Sequence, residues 1–255
     1  MESFLLSLNQ ALTPGYFVLY LIVALILGLT KAGLNGISLS VIPVMALIFG
    51  AKESTGVLLP MLIIADIMAV IYYHRNAVWR HITRILPWVA AGILIALITG
   101  NLINDAQFRI VMVTVVWIMI ILMILNDIRK KSGRKIPENH FFASLMGLSG
   151  GFSTMIGNSA GPVFNLYFLA MRLPKKEFIG TGAWLYFIMN IGKLPLQIFV
   201  WKTITVNTIM MNLLSAPVIA AGIFIGIHIV KIIPEKVYRY FIIITTLIAS
   251  AFLLI

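Results

Sequence analysis

Apolar residues run in long stretches near 55–73, 81–100, 107–126, 179–200, 207–229 and 237–255. Each is long enough to cross a bilayer core as a helix, which takes about 20 residues. Two further regions, 16–50 and 141–171, are apolar but broken in the middle. Their halves hold about 14 residues, roughly 21 Å of helix, and fall short of a hydrocarbon core of about 30 Å. They predict two re-entrant hairpins, each entering and leaving on one side of the membrane. Non-helical backbone is forbidden against lipid but allowed where protein wraps it or where it lines a cavity. The second break reads GLSGGFSTMIGNSAGP over 147–162, with five Gly, three Ser, a Thr, an Asn and a Pro in sixteen residues. A lipid-buried helix should avoid that composition, so the segment is expected to be polar backbone held at membrane depth.

The first broken region carries a counterpart, GLTKAGLNGISLSVIP, over 28–43. Both stretches open on Gly-Leu-Ser/Thr and close on Pro, and Pro43 and Pro162 are expected to mark where each second half-helix restarts. Downstream, Lys52-Glu53 matches Lys176-Glu177 at an offset of 124, which also superposes Gly56 on Gly180 and Asp66 on Asn190. The chain therefore divides into two halves, 1–138 and 139–255, each a broken hairpin followed by three spans. Three crossings is an odd number, so the second half is inverted relative to the first. Inverted repeats with discontinuous helices meeting near the midplane are the architecture of secondary transporters.

Composition agrees with this pattern. Of 255 residues, 61% are hydrophobic and 11% charged, with a mean hydropathy of +1.04. No polar stretch exceeds roughly 15 residues, which leaves no room for a soluble domain. The fold class is an all-α polytopic membrane protein. The N-terminal MESFLLSLNQALTPG lacks a basic n-region, so the first apolar segment is expected to stay in the chain. There is no Cys, which excludes disulfides, thiolate metal sites and thiol catalysis; neither a metal nor a cofactor is expected.

The formal net charge of +11 follows from topology. Arg75, Arg80 and Arg84, then Arg129, Lys130, Lys131, Arg134 and Lys135, then Arg172, Lys175 and Lys176, and finally Lys231, Lys236 and Arg239 hold 14 of the 19 Lys and Arg in four loops. All four fall on one side only if each broken region returns to its starting side. The positive-inside rule makes that side cytoplasmic and puts both termini outside. No nucleic-acid partner is needed to explain the basic excess.

At "GLTKAGLNG", "VLLPMLIIADIMAVIYYHRNAVWRH", "GNSAGPVFNLYFLAMRLPKKEFIGTGAW" and "MNIGKLP" the chain resembles the TauE/SafE (TSUP) family of membrane permeases. The resemblance covers nearly the whole length. It is nearest to a branch with a Lys-Thr-Gly-type first motif and an Asn-Ala-Ala-Gly-Pro-type second motif. These stand here as Lys31-Ala32-Gly33 and Asn158-Ser159-Ala160-Gly161-Pro162, the departures being small-for-small. The resemblance implies transport of a small sulfur-containing anion (sulfite, thiosulfate or an organosulfonate) across a bacterial inner membrane. Substrate and direction vary across that family and do not carry over.

Lys31 lies near the first hairpin tip, about 15 residues or roughly 22 Å from its entry. A Lys at that depth is expensive and functional by default. It either receives an anion or pairs with Asp66 and locks the hairpin to the next helix, and the two roles are compatible. Asp66, mid-span, is the one acidic residue at depth and so the candidate proton carrier; its other reading is a fixed counter-ion to Lys31. Asn190, its counterpart, cannot titrate. Lys193 lies roughly 10 Å from the outer end of its helix, close enough to snorkel, and reads as a vestibule charge or an interfacial anchor. Asn190 and Gln197 share its face at i±3/4 spacing. In the second hairpin Ser149, Ser153, Thr154, Asn158 and Ser159 offer neutral donors among glycines. Gly33, Asn35 and Ser38, with Ser40, offer the same in the first. Half-helix N-termini would add N–H groups aimed at an anion. Each Ser taken singly reads better as helix packing; as two related motifs the set reads as an anion site.

Two rivals remain. Gly147-Leu148-Ser149-Gly150 fits the Gly-x-Ser-Gly pattern of intramembrane serine proteases, but that chemistry needs a His base within reach. His74, His81 and His140 lie in basic loops and His228 at the cytoplasmic end of its span, away from a hairpin tip. The chain is therefore expected not to be an enzyme. A passive anion channel lacks alternating access, which sequence does not distinguish from a carrier. Gly92, Ala96 and Gly100, and separately Gly222 and Gly226, form small-residue stripes expected to serve helix contacts.

Overall fold

The computed structural model describes residues 14–34, 41–104 and 140–234, with isolated positions between 106 and 114 and between 237 and 244. The predicted spans 107–126 and 237–255 lie largely outside the described residues, as do Asn35, Ser38, Ser40 and the basic loop at 129–135. Every regular element among the described residues is helical. In chain order these are α1 (Pro14–Lys31), α2 (Val41–Phe49), α3 (Ala51–Tyr73), α4 (Trp79–Leu102), α5 (His140–Gly157), α6 (Gly161–Ala170), α7 (Lys175–Pro195) and α8 (Val206–Ile232). A 3₁₀ turn at His74–Asn76 follows α3, and a π-helical turn at Leu196–Val200 continues α7. Among the described residues, four helices are long and apolar enough to cross a membrane: α3, α4, α7 with its π turn, and α8. Large apolar side chains such as Leu94, Ile98, Leu213, Leu214 and Phe224 are exposed on α4 and α8, where lipid rather than water suits them. The chain is a multi-pass, all-α membrane protein.

The broken regions differ from expectation in one respect. Each has a long first arm, 18 residues in both α1 and α5, and a short second arm of 9 or 10 residues in α2 and α6. The halves are not equal. Most of the polar-looking GLSGGFSTMIGNSAGP stretch is regular helix, since α5 continues to Gly157 and only Asn158–Ala160 leave it. Its glycines serve close packing instead. A Cβ at Gly151 would collide with the Val89 carbonyl of α4, and one at Gly147 would press on Trp88 and the Ile85 carbonyl. Gly92 of α4 meets the Leu148 carbonyl in the same way. In membranes, small residues let helix backbones approach where no hydrophobic drive exists between helices.

The same device joins α1 to α8, where Gly28 lies against Ile219 and Gly222 against Leu25. Thus α4 packs on α5 and α8 on α1, while α3 crosses α7. An offset of about 124 residues turns α1 into α5 and α4 into α8, so it exchanges one pair for the other. The helix ends follow the same rule. Lys52, at the start of α3, donates to the Gly100 carbonyl at the end of α4 (3.0 Å). Lys175, at the start of α7, donates to the Val230 and Ile233 carbonyls at the end of α8 (2.9 and 2.7 Å). Both ammonium groups meet the carbonyl ends of helices, the favourable side of the helix dipole.

Several contacts tie the helix ends together at one end of the bundle. Lys231 stacks on Tyr72, Trp184 donates to the His74 carbonyl, and Lys175 sits on the end of α8.

Candidate functional site

Helices α3 and α7 are the frame. Asp66 and Asn190 sit at their crossing, and the Asn190 amide donates to the Asp66 carboxylate at 2.6 Å. Lys31, the last residue of α1, brings its ammonium to 2.6 Å from the other carboxylate oxygen and lies 4.4 Å over the ring of Tyr186. Asp66 is fully buried, so its charge is carried by one cation and one amide donor. Of the two roles read for Lys31, the pair with Asp66 is present, and it leaves Lys31 on the wall of a cavity.

Lys193 is also fully buried and does not snorkel. Its ammonium donates to the Thr154 carbonyl (3.1 Å), the Thr154 hydroxyl (2.9 Å) and Asn158 Oδ1 (2.7 Å). The break in the second hairpin covers it, and three protein acceptors replace the water it would otherwise seek. Asn158 itself takes a left-handed backbone (φ 54°) and donates to the Thr55 carbonyl at 3.1 Å. Asn tolerates that conformation at a helix end better than most residues.

The described ends of the two long arms are tied to opposite ends of α3. The second tip is tied to Thr55 near the start of α3, whereas the first is tied to its end, where the Tyr73 hydroxyl donates to the Ala32 carbonyl (3.1 Å). Those anchor points are roughly 27 Å apart along α3. The long arms α1 and α5 overlap instead, and the cavity lies between their last turns. It measures about 40 Å³ and is lined by Thr30, Lys31, Leu62, Thr154, Asn158, Ala160, Gly161, Tyr186 and Asn190. That is room for about three waters. Thr30 and Thr154, and likewise Leu62 and Tyr186, are 124 positions apart, as are Asp66 and Asn190 beneath them.

The donors on this wall are of several kinds. Lys31 supplies a charge. The Tyr186 hydroxyl is buried without a hydrogen-bond partner among the described residues. Ala160 and Gly161 are the entry to α6, which no side chain caps, so the positive end of that half-helix meets the cavity. Leu62 makes one apolar wall. Groups able to hold a metal ion are absent among the described residues.

Of the residues singled out in the sequence, the cavity brings together Lys31, Thr154, Asn158 and Asn190, with Asp66 and Lys193 bonded directly behind them. Others are elsewhere. Gly33 adopts φ 125° beside Ile179, and its carbonyl accepts from Tyr238 (2.6 Å). Ser153 bonds back to the Gly150 carbonyl and Ser159 to that of Ser153, closing the end of α5. Gln197 donates to Thr55 Oγ1 at 3.2 Å and accepts from Thr203. Ser149 lies inside α5, not at the tip, roughly 14 Å along the helix from Asn158. His74, His81 and His228 are hydrogen-bonded through Nδ1 with the Ile71 carbonyl, the Tyr167 hydroxyl and the Phe224 carbonyl. Sequence reading passed over Thr30, Leu62 and Tyr186, although the 124 offset applied to Thr154 would have returned Thr30.

No match was found among curated proteins or among solved structures. The family model "Sulfite exporter TauE/SafE" matches residues 20–253. A match over nearly the whole chain, on a multi-pass helical bundle with two broken hairpins, shows that the chain belongs to the TauE/SafE family of membrane transporters.

Proposed function

We propose that the protein is a secondary carrier for a small sulfur-containing oxyanion such as sulfite, thiosulfate or a sulfonate. The cavity between α1, α5 and α7 is its binding site. One observation carries this reading: the walls pair residues 124 positions apart around a cluster that holds two lysines and one carboxylate. A site on an axis relating two halves of the chain is accessible to either side if the halves rock against each other. The halves are 1–138 and 139–255, the second inverted, and the basic end of the bundle faces the cytoplasm across a bacterial inner membrane. Lys31, the Tyr186 hydroxyl, the Thr154 hydroxyl and the entry of α6 bind the oxyanion head. Asp66 holds Lys31 in place and is the one acidic group at the site that a coupled proton can use.

Uptake of radiolabelled sulfite, thiosulfate and methanesulfonate into proteoliposomes, with and without a pH gradient, tests this. Saturable flux of at least one, lost in Lys31→Met and accelerated by the same anion on the opposite side, is the expected result. Flux without such trans-acceleration identifies a channel instead, and absence of flux for all three overturns the substrate class. Coupling through Asp66 predicts that any pH-gradient dependence disappears in Asp66→Asn.

A further inference from the structure

The end of each long arm is held by hydrogen bonds, one set on either side of the cavity along α3. Leu62 of α3 lines the cavity; Thr55 lies roughly 10 Å along the helix to one side of it and Tyr73 roughly 16 Å to the other. At the first position Asn158, at the end of α5, donates to the Thr55 carbonyl (3.1 Å). The Gln197 amide donates to Thr55 Oγ1 (3.2 Å), and its oxygen accepts from the Thr203 hydroxyl. Thr55, Gln197 and Thr203 are all buried. The turn that carries Thr203 sits on α3, since a Cβ at Gly56 would collide with Thr203. At the second position the Tyr73 hydroxyl donates to the Ala32 carbonyl (3.1 Å) and the Tyr238 hydroxyl to the Gly33 carbonyl (2.6 Å). Both tyrosines are buried, and Gly33 lies against Ile179 at the start of α7. Here too a turn sits on a glycine, because a Cβ at Gly180 would collide with Asn76.

The two sets use equivalent places in the chain. Tyr73 and Gln197 are 124 positions apart, as are Thr55 and Ile179, and Gly56 and Gly180. Their chemistry differs: a phenol at one end, and at the other an amide inside the π-helical turn Leu196–Val200. Such turns interrupt regular helix and are frequent at functional sites. The bonds in both sets join neutral groups, so each breaks and re-forms at small cost. Further along, α1 is packed backbone to backbone on α8 and α5 on α4, which leaves the arm ends as the parts able to let go. Resting on the carrier reading, we propose that Gln197 and Tyr73 are the latch residues of two gates that control access to the cavity from opposite faces. Gln197, with Asn158 and Thr55, guards the face at which α3 begins. Tyr73, with Tyr238, guards the face at which α3 ends. Both latches are engaged here, and each releases in its turn.

The chain has no Cys, so a single introduced Cys is the sole labelling site. Thr30→Cys places it on the cavity wall, where the hydroxyl it replaces bonds back to the Leu27 carbonyl of its own helix (2.8 Å). Labelling by a membrane-impermeant methanethiosulfonate is timed in right-side-out and inside-out vesicles containing the full chain. Adding Gln197→Leu to Thr30→Cys should speed labelling from one face only. Adding Tyr73→Phe should speed it from the opposite face only. Each gain should be about threefold to tenfold, the effect of a polar contact between membrane helices. Acceleration from both faces in one variant is what general loosening of the bundle would give, and it overturns the proposal. So does acceleration from the same face in both variants, or from neither face in either. Should a variant not fold, Thr203→Val and Tyr238→Phe loosen the same two latches and decide in its place. Labelling needs no cargo, so it judges the gates separately from the uptake that judges the carrier reading.

Discussion

The Asn190 amide donates to the Asp66 carboxylate at 2.6 Å, across the same 124 positions that superpose the two halves of the sequence. This bond lies where α3 and α7 pack against each other, as expected for equivalent positions of the proposed inverted repeat. Removing the donor in Asn190→Ala leaves Asp66 its lysine and should cost about 0.6–2 kcal/mol, the range for polar contacts between membrane helices. Asn190→Asp instead sets two carboxylates against each other and should cost clearly more. Thermal unfolding of both variants in the same nanodiscs measures the difference. Equal losses would mean that the two side chains do not face one another.

Lys31 and Asp66 form the buried pair of the cluster. In Lys31→Met the carboxylate stays fully buried with only Asn190 as donor, and the loss should be about 3–5 kcal/mol, as for other buried pairs broken on one side. The double variant Lys31→Met/Asp66→Asn removes both charges and should recover most of that stability. It should not recover anion flux, because the cation on the cavity wall is gone. A double variant no more stable than the single one would show that the pair is not the coupled unit described.

Parts of this site are legible in the sequence for a physical reason. Ionisable residues are so costly in a membrane that Lys31, Asp66 and Lys193 stand out from an apolar background, and the 124 offset links Asp66 to Asn190. The extent of α5 is not legible in the same way. Glycine and serine discourage helix in water, but between membrane helices they permit close approach, so GLSGGFST reads as a break although it packs as helix against Val89 and Gly92. Lys193 looked able to reach the surface because the covering Asn158 is remote in sequence. Tyr186 and Leu62 carry no signal of their own, since an aromatic and an aliphatic residue in an apolar helix are what lipid alone would select.

The α4–α5 crossing gives a sharper test of that reading of glycine. A methyl at Gly151 would collide with the backbone of Val89, which a side-chain rotation cannot relieve. Gly151→Ala should therefore cost about 1–3 kcal/mol, as overpacking generally does. Gly192, on α7, has nothing within 4 Å of the same position. Gly192→Ala should be neutral or slightly stabilising by helix propensity. Unfolding temperatures of the two variants in parallel check the pair, and a tolerant Gly151 would refute the close crossing.

Ser149 lies inside α5 away from the cavity, so Ser149→Ala should leave anion flux within experimental error. A variant that kept flux but lost a peptide-cleaving activity of the purified protein would restore the protease reading.

Tyr186 separates binding from stability most cleanly. Its hydroxyl is buried, has no protein partner among the described residues, and belongs to a side chain on the cavity wall, while its ring lies under the Lys31 ammonium. A buried unpaired hydroxyl is a liability to the empty protein. Tyr186→Phe keeps the ring and the cation–π contact and removes only that liability, so the unfolding temperature without ligand should stay level or rise. A hydrogen bond to a charged ligand contributes about 1.5–3 kcal/mol, so affinity for methanesulfonate should fall about tenfold or more. Stability and affinity then move in opposite directions. If both fall together, the hydroxyl supports the fold and is not aimed at the anion.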